Sequence, residues 1–148
     1  MLKGIDPLLT GDLLKVLDDM GHSDHIVIAD VNFPAHRTHS VVIEVPGIDV
    51  VRMTRAVCSV LTLDEDHPPA LMESTRTPRP VVQDELLGAA GVTDCTMVDR
   101  WSYYDLTRDA VAVISTGELR LWANITLYKG LPYSALHYGS CGPVGLAL

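Results

Sequence analysis

Apolar residues along the chain fall into two alternating patterns, one with the spacing of an amphipathic helix and one with the short continuous runs of a buried strand. Leucines at helical spacing follow Thr10, a residue type that caps helices, and stop at Gly21. The run His25–Ala29 has no polar alternation, which is typical of a strand covered on both faces. The pattern therefore places Asp30 at the carboxyl end of a buried strand, where open α/β sheets often carry their sites.

The same alternation of helix and strand patterns continues through most of the chain. Short apolar runs predict further strands at 41–45, 70–73, 95–98, 110–114 and 124–128. Helical spacing predicts further helices at 50–61 and 81–90 and a helical turn at 103–108. This order is typical of a layered α/β domain with a largely central sheet. Residues 131–148 are apolar and glycine-rich without periodicity, so we expect one domain over 1–130, followed by a tail or an interface arm.

The composition argues against several classes of partner. The 148 residues carry a formal net charge of -8, with acidic residues spread along the chain, whereas nucleic-acid binding needs clustered Lys and Arg. No apolar run approaches the roughly 20 residues that span a bilayer, and the first residues lack the apolar segment of a signal peptide. The cysteines, at positions 58, 95 and 141, are odd in number and far apart, which argues against a disulfide framework. We therefore expect a cytoplasmic protein that binds neither nucleic acid nor membrane.

Candidate chemistry is densest around the first predicted strand, in the segment 21–25 and at Asp30. His22 follows the end of the first predicted helix, and an imidazole can give or take a proton near neutral pH. A carboxylate such as that of Asp30 can orient an imidazole or bind sugar hydroxyls. Spacing alone leaves the alternative that His22 merely caps the helix and Asp30 caps a turn.

Two His-x-x-His pairs, His22 with His25 and His36 with His39, have a spacing that also occurs in metal sites. However, His25 begins the predicted strand and would point away from a loop partner at position 22. We therefore expect no metal site in this region.

Two further segments carry side chains suited to a sugar. Arg100 follows the strand predicted at 95–98, and its guanidinium presents a fixed fork of donors for sugar hydroxyls. The tripeptide Trp122-Ala123-Asn124 precedes the last predicted strand, and an aromatic ring beside an amide suits a carbohydrate. A core or interface role fits Trp122 equally well, so spacing alone leaves the function open.

Together, these motifs resemble the fucose mutarotase and ribose pyranase family. The resemblance covers most of residues 1–130 and does not extend to the tail. Its segment 32–36, Asn-Phe-Pro-Ala-His, is more similar to the fucose branch than to the ribose branch. The positions that carry the resemblance are 1–5, 7–9, 13–17, 20–24, 28–30 and 32–36, then 100, 103–104, 110–114, 116–118, 122–124 and 129–130.

The resemblance implies a three-layer α/β domain with a central, mostly parallel or mixed sheet, assembled into a ring-based decamer with sites near subunit contacts. The apolar share of the composition, 47%, agrees with self-association. The implied activity is that of a mutarotase, which interconverts the α and β anomers of a free monosaccharide, L-fucose or a similar hexose. Proton transfers suffice to open and reclose the sugar ring, so no cofactor is expected.

Carried over position by position, the resemblance implies His22 as the proton donor and the sugar-binding residues Asp30, Arg100, Trp122, Ala123 and Asn124. We further expect Asp30 to orient His22. One position departs from the family, which usually has Tyr where this chain has Trp122. An indole N–H can donate a hydrogen bond but cannot exchange a proton as a phenol can, so this position bears on the substrate and on any second acid or base.

Two alternatives stay open at this point. A pyranase of the same family would exchange the pyranose and furanose forms of D-ribose or another pentose through the same open chain. A monosaccharide-binding protein without catalytic activity would result if Trp122 had abolished proton exchange. The presence of His22 and Asp30 argues against the second alternative.

Overall fold

In the part of the chain that the structure describes, residues 1–132, a mixed sheet of six strands lies at the centre of the domain. In the computed structural model the strands are β1 (His25–Ala29), β2 (Val42–Val45), β3 (Ala70–Met72), β4 (Thr96–Val98), β5 (Val113–Thr116) and β6 (Ile125–Tyr128). They lie side by side in the order β2-β5-β1-β6-β3-β4. β6 is antiparallel to both of its neighbours, and the other five strands share one direction.

Helices cover both faces of this sheet. They are α1 (Gly11–Asp19), α2 (Ala35–Thr38), α3 (Val50–Cys58), α4 (Val81–Ala90) and α5 (Arg100–Arg108). Alternate residues of β1 point to opposite faces: Ile26 and Ile28 pack with α1, α3 and α4, whereas Val27 and Ala29 pack with α2 and α5. Residues 26–29 of this strand are all apolar and buried because both of its faces are covered. The three-layer α/β fold that the resemblance implies is confirmed.

The helices begin and end at residues that the sequence marks as caps. Oγ1 of Thr10 accepts a hydrogen bond from the N–H of Leu13 at the start of α1 (3.4 Å). Gly91 ends α4 with a left-handed φ of 72°, which glycine adopts without strain. The helices are short, α4 having 10 residues. Within residues 1–132, no helix is long and apolar enough to cross a membrane.

Two elements differ from their predicted positions. Helix α5 begins at Arg100 rather than at 103, because the Asp99 carboxylate caps its first turn. The strand predicted at 110–114 lies at Val113–Thr116, because residues 109–111 form the turn that follows α5. The other predicted helices and strands are confirmed to within a few residues. The predicted tail or interface arm, residues 131–148, lies outside the described residues from position 133 onward.

The two ends of the sheet differ in which strand termini they hold. Five strands end at one side, here named the carboxyl end, where β6 begins; the same five strands begin at the opposite side, here named the amino end, where β6 ends. Gly117 packs closely at the carboxyl end: its N–H donates to the carbonyl of Ile48 (2.8 Å), and a Cβ there would lie 2.0 Å from the carbonyl oxygen of Pro46. Glycine is therefore required at this position.

Candidate active site

Asp30 lies at the carboxyl end of the sheet, directly after β1. Its Oδ2 accepts hydrogen bonds from the N–H of Ala123 (3.2 Å) and from Nδ2 of Asn124 (3.2 Å), and its Oδ1 accepts one from the N–H of Asn32 (2.9 Å). In return, the N–H of Asp30 donates to Oδ1 of Asn124 (3.0 Å). Asp30 is only 3% exposed. This reciprocal pairing fixes the orientation of both side chains.

Burial and hydrogen bonding act on the Asp30 carboxyl in opposite directions. Burial raises its pKa above the ordinary value, because the charged form loses its contact with water. The N–H groups of Asn32 and Ala123 and the amide of Asn124 favour the charged form and offset part of this effect. Burial dominates, so this carboxyl takes up a proton more readily than an exposed one while keeping a fixed orientation.

The loop between β5 and β6 brings Trp122 beside Asp30. Trp122 has a left-handed φ of 64°, a conformation that residues other than glycine rarely adopt and that surrounding contacts must hold. Its carbonyl oxygen accepts a hydrogen bond from Nε2 of the buried Gln83 (3.1 Å), which also donates to the carbonyl of Met72 (2.8 Å). Gln83 therefore ties this loop to α4 and to the end of β3.

Arg120 holds the other side of the same loop. Its Nε and Nη2 each donate to the Glu118 carboxylate at 3.0 Å, and its Nη1 donates to Glu85 of α4 at 2.7 Å. The Arg120 guanidinium holds the pKa of Glu118 below its usual range. The carbonyl of Glu118 also accepts a hydrogen bond from the N–H of Val31, the residue after Asp30 (3.0 Å). The loop is thus fixed by its own contacts with α4 and with the end of β1.

An open cavity of about 210 Å³ lies beside Asp30. Arg100 lies over the indole of Trp122, with Cζ 5.3 Å from the ring centroid, which is a cation–π distance. The lining combines polar side chains with apolar ones: Asp30, Asn32, Arg100 and Asn124, and then Phe33, Met72, Tyr104, Leu121 and Trp122. A polyhydroxylated ligand of monosaccharide size matches this lining, because hydroxyls suit the polar groups and a C–H face suits the aromatic rings.

His22 lies at the opposite, amino end of the sheet, in the turn between α1 and β1. Its Nε2 is 3.4 Å from Oδ2 of Asp64; the His22 side chain is 49% exposed and that of Asp64 only 4%. The same oxygen accepts a hydrogen bond from Oγ of Ser23 (3.3 Å), and Oδ1 accepts one from the N–H of Asp66 (3.0 Å). The N–H of Asp66 is the main cause that holds the pKa of the Asp64 carboxyl below its usual range. A charged carboxylate behind an exposed imidazole is an arrangement suited to acid–base chemistry.

The structure brings the five predicted sugar-binding residues together at the carboxyl end. Four of them line the cavity, and Ala123 donates its N–H to Asp30. His22 is not among them, because β1 separates the two ends: from Asp24 to Asp30 the chain spans roughly 20 Å at about 3.3 Å per residue. The expectation that Asp30 orients His22 is therefore wrong within one chain, where Asp64 lies beside the imidazole instead.

Sequence reasoning missed Asp64, which lies in the loop between α3 and β3. No motif or spacing connects it with His22, because the two residues approach only through tertiary structure. The N–H of Asp64 donates to the carbonyl of Tyr128 (2.9 Å), and Leu63 forms a bridge with Lys129. The position of Asp64 therefore depends on β6, whose place in the sheet the sequence pattern does not reveal.

The two His-x-x-His pairs do not converge on a common point. Nε2 of His25 lies 2.9 Å from the carbonyl oxygen of Leu106, away from His22. His36 pairs with a glutamate on the surface, and Nε2 of His39 lies 2.6 Å from the carbonyl oxygen of Ala110. Among residues 1–132, no group of three or more His, Cys, Asp or Glu side chains is arranged to hold a metal ion.

Comparison with known proteins identifies the family. The model of the RbsD / FucU transport protein family matches residues 3–132. The chain belongs to this family. Among its relatives, the L-fucose mutarotase of Actinobacillus pleuropneumoniae serotype 5b is 37% identical over 140 residues, which are 88% of this chain and 97% of that protein.

Solved structures of RbsD / FucU proteins share the fold described above. The fucose mutarotase of Streptococcus pneumoniae, solved in complex with L-fucose, has a TM-score of 0.81 and 30% sequence identity, covering 89% of this chain and 100% of that chain. RbsD of Bacillus subtilis, solved with D-ribose, has a TM-score of 0.75 and 25% identity, covering 90% of this chain and 100% of that chain. The resemblance to the fucose mutarotase and ribose pyranase family is confirmed, and these fucose mutarotases are more similar in sequence to this chain than RbsD is.

Proposed function

We propose that this protein is an L-fucose mutarotase, an isomerase that interconverts the α and β anomers of the free sugar. The observation that carries the proposal is the Asp30 site in a chain of the RbsD / FucU family. There, a buried carboxylate paired with Asn124 lies beside a cavity of about 210 Å³ that Arg100 and Trp122 also line. The choice of sugar rests on the relatives named L-fucose mutarotase and fucose mutarotase.

In this proposal, each side chain of the cavity lining contacts a particular part of the sugar. Asp30 and Asn124 bond hydroxyls, since each keeps hydrogen-bonding capacity beyond their reciprocal pair, and Arg100 donates to further hydroxyls. The indole of Trp122 packs against the C–H face of the sugar ring, and the apolar part of the wall suits the C6 methyl group of L-fucose. Ala123 acts through its N–H on Asp30, because its side chain is fully buried.

The reaction opens and recloses the sugar ring through two proton transfers. A base takes the proton of the anomeric hydroxyl, an acid protonates the ring oxygen, and the bond between that oxygen and the anomeric carbon breaks. The aldehyde then rotates, and the reverse steps close the ring with the opposite configuration. In this proposal His22 is the proton donor, a role in which positioned acid–base groups contribute about 10²–10⁴-fold.

His22 reaches an Asp30 site only from a second copy of the chain, because the two residues lie at opposite ends of the sheet. The protein is therefore a homo-oligomer, with a ring-based decamer as the expected assembly. Exposed apolar side chains near the carboxyl end support a contact there: Val31 (46% exposed), Leu119 (79%) and Leu121 (48%). A solution mass near ten times 16.1 kDa agrees with the decamer, and the mass of a single chain contradicts any shared site.

The expected location of the enzyme is the cytoplasm. Cys58 and Cys95 are free thiols, which is typical of proteins in a reducing compartment. Burial raises the pKa of the Cys58 thiol to about 12, so this residue is an inert packing group rather than a nucleophile.

Anomer exchange measured by NMR saturation transfer tests the proposal directly. The exchange rates of L-fucose, D-ribose and a few common hexoses are measured with the unsubstituted protein, with His22→Ala and with His36→Ala. The last variant is the control, because His36 is an exposed histidine of α2. We expect accelerated exchange of L-fucose that His22→Ala loses and His36→Ala keeps. Acceleration of D-ribose alone would identify a pyranase, and saturable binding without acceleration would identify a sugar-binding protein; either result contradicts the proposal.

A further inference from the structure

A second imidazole shares the Asp64 carboxylate with His22. Nδ1 of His67 is 3.7 Å from Oδ2 of Asp64, the same oxygen that lies 3.4 Å from Nε2 of His22. Oγ of Ser23 also bonds this oxygen, at 3.3 Å. Both imidazoles are partly exposed, with the His67 side chain at 61%, so both can exchange protons with solvent. A single carboxylate oxygen therefore serves three potential donors.

The position of His67 is fixed by the last residue of β6. Its ring centroid lies 5.2 Å from that of Tyr128, with an angle of 35° between the ring planes. The carbonyl of the same Tyr128 accepts the hydrogen bond from the N–H of Asp64 (2.9 Å). Tyr128 thus contacts the imidazole of His67 through its ring and the backbone of Asp64 through its carbonyl, so both residues are placed by the same residue of β6.

We propose that His67 is a positioning residue for His22 and acts through Asp64. The inference rests on the proposed role of His22 as a proton donor. When His67 is neutral, the Asp64 oxygen is available to orient His22. When His67 takes up a proton, its positive charge competes for that oxygen and repels a proton on His22. A positive charge on His67 therefore weakens the hold of Asp64 on His22.

Three of the other charged and titratable groups around this pair have hydrogen-bond partners of their own. Oδ2 of Asp24 accepts a backbone N–H within its own turn (2.7 Å), and Nζ of Lys129 donates to two carbonyls at the end of α1 (2.7 and 3.2 Å). His25 lies on the Tyr128 ring at 5.2 Å and bonds a carbonyl of α5. The remaining acidic residues of the loop are Glu65 and Asp66. Asp64 is thus the group that connects the two imidazoles.

Two substitutions separate the charge of His67 from its other properties. His67→Asn keeps an N–H donor near the position of Nδ1 but cannot take up a proton. His67→Phe keeps an aromatic ring against Tyr128 but has neither donor nor charge. His36→Asn is a matched control, since His36 is also an exposed histidine that pairs with a carboxylate, that of Glu44 (2.8 Å).

The first readout is an NMR titration of the His22 ring with ¹³C-labelled histidine between about pH 5 and 8, the range in which histidines exchange protons. We expect the His22 curve to be the same in the unsubstituted protein and in His36→Asn, and to differ in both His67 variants. A His22 curve that His67→Asn leaves unchanged overturns the proposal. No sugar is needed for this readout, so its outcome is independent of the proposed function.

The second readout is the rate of anomer exchange over the same pH range. The quantity compared is the exchange rate of a His67 variant divided by that of the unsubstituted protein. We expect this ratio to rise about threefold or more from pH 8 to pH 5.5 for His67→Asn, and to rise likewise for His67→Phe. A ratio that stays constant with pH shows a merely structural role and overturns the proposal. If none of the proteins accelerates exchange, the proposed function fails while the NMR titration still decides the coupling.

Discussion

The two ends of the sheet each carry a buried carboxylate, and the surroundings of the two groups differ. At the carboxyl end, Asp30 accepts its hydrogen bonds from Asn32, Ala123 and Asn124, and burial raises its pKa. At the amino end, Asp64 accepts a backbone hydrogen bond and lies against an exposed imidazole, and its pKa is lowered. Two carboxylates of similar exposure are thus shifted in opposite directions by their neighbours.

Under the proposed function, this difference separates sugar recognition from proton transfer. A carboxylate locked to an amide, as Asp30 is to Asn124, presents one fixed pattern of hydrogen-bonding groups, which is what recognition of hydroxyl configuration requires. A charged carboxylate beside an exposed imidazole, as Asp64 is beside His22, is an arrangement that suits a proton donor. Mutarotation needs both functions on one sugar. A complete site therefore combines the carboxyl end of the sheet in one copy of the chain with the amino end of the sheet in another.

The largest effect of a single change at the carboxyl end is expected for Asp30→Asn. In either orientation the new amide turns its NH₂ group toward N–H donors that the carboxylate now satisfies, those of Ala123 and Asn124 or that of Asn32. We expect kcat/KM for anomer exchange of L-fucose to fall by about 100-fold. Asp105→Asn, which changes an exposed carboxylate paired with Arg108, serves as the control and should keep full activity. Equal activity of the two variants would show that the carboxyl end does not bind the sugar.

At the amino end, Asp64→Asn is expected to have a smaller effect. The amide oxygen can still face Nε2 of His22, but the negative charge beside the imidazole is gone. We expect kcat to fall by about 10-fold with little change in KM, because Asp64 acts on the proton donor and not on sugar binding. A rise in KM alone, measured over a range of L-fucose concentrations, would place Asp64 in the binding site instead.

A weaker effect is expected at Trp122, where the family usually has Tyr. Trp122→Tyr introduces a hydroxyl that exchanges protons, and Trp122→Phe keeps only an aromatic face. We expect kcat of the Tyr variant to exceed that of the Phe variant by about 2–5-fold, with similar KM values, since both rings can still lie under Arg100. Identical kcat values would show that no second acid or base acts from this position.

The smallest effect concerns stability at low pH. The pKa of Asp64 is lowered from 3.8, so the folded protein keeps this carboxyl charged at pH values where the unfolded chain takes up a proton. The stabilisation is therefore complete above about pH 3.8 and is lost as the pH falls through the folded value. We expect the thermal midpoint of Asp64→Asn, followed by circular dichroism, to lie below that of the unsubstituted protein at pH 5–7 and to approach it at pH 3. An equal difference at pH 3 and pH 7 would contradict this.

Most of the fold follows from local patterns in the sequence. Residues 26–29 of β1 are an apolar run because both faces of the strand are covered, and α4 ends at Gly91 because a left-handed residue is needed there. The pattern placed β5 three residues too early, since the apolar residues 110–112 belong to the connection after α5 rather than to the strand. Local signals therefore define which elements exist better than where they end.

Local sequence patterns predict the candidate site only in part. Asp30 follows from the strand pattern, but its partner Asn124 is 94 positions away and was assigned through the family resemblance. Asp64 was missed because its place depends on pairing with β6. The nearness of His22 and Asp30 in sequence was misleading, because a strand lies between them and carries them to opposite ends of the sheet.

The most direct test of a site shared between two copies is subunit complementation. His22→Ala and Asp30→Asn proteins are each assayed alone for L-fucose anomer exchange by NMR saturation transfer, and then after they are mixed 1:1, dissociated and reassembled. If each site takes Asp30 from one copy and His22 from another, random mixing restores both residues at about one quarter of the sites, so about a quarter of the unsubstituted activity should return. Mixed oligomers that stay as inactive as either variant alone would contradict the account.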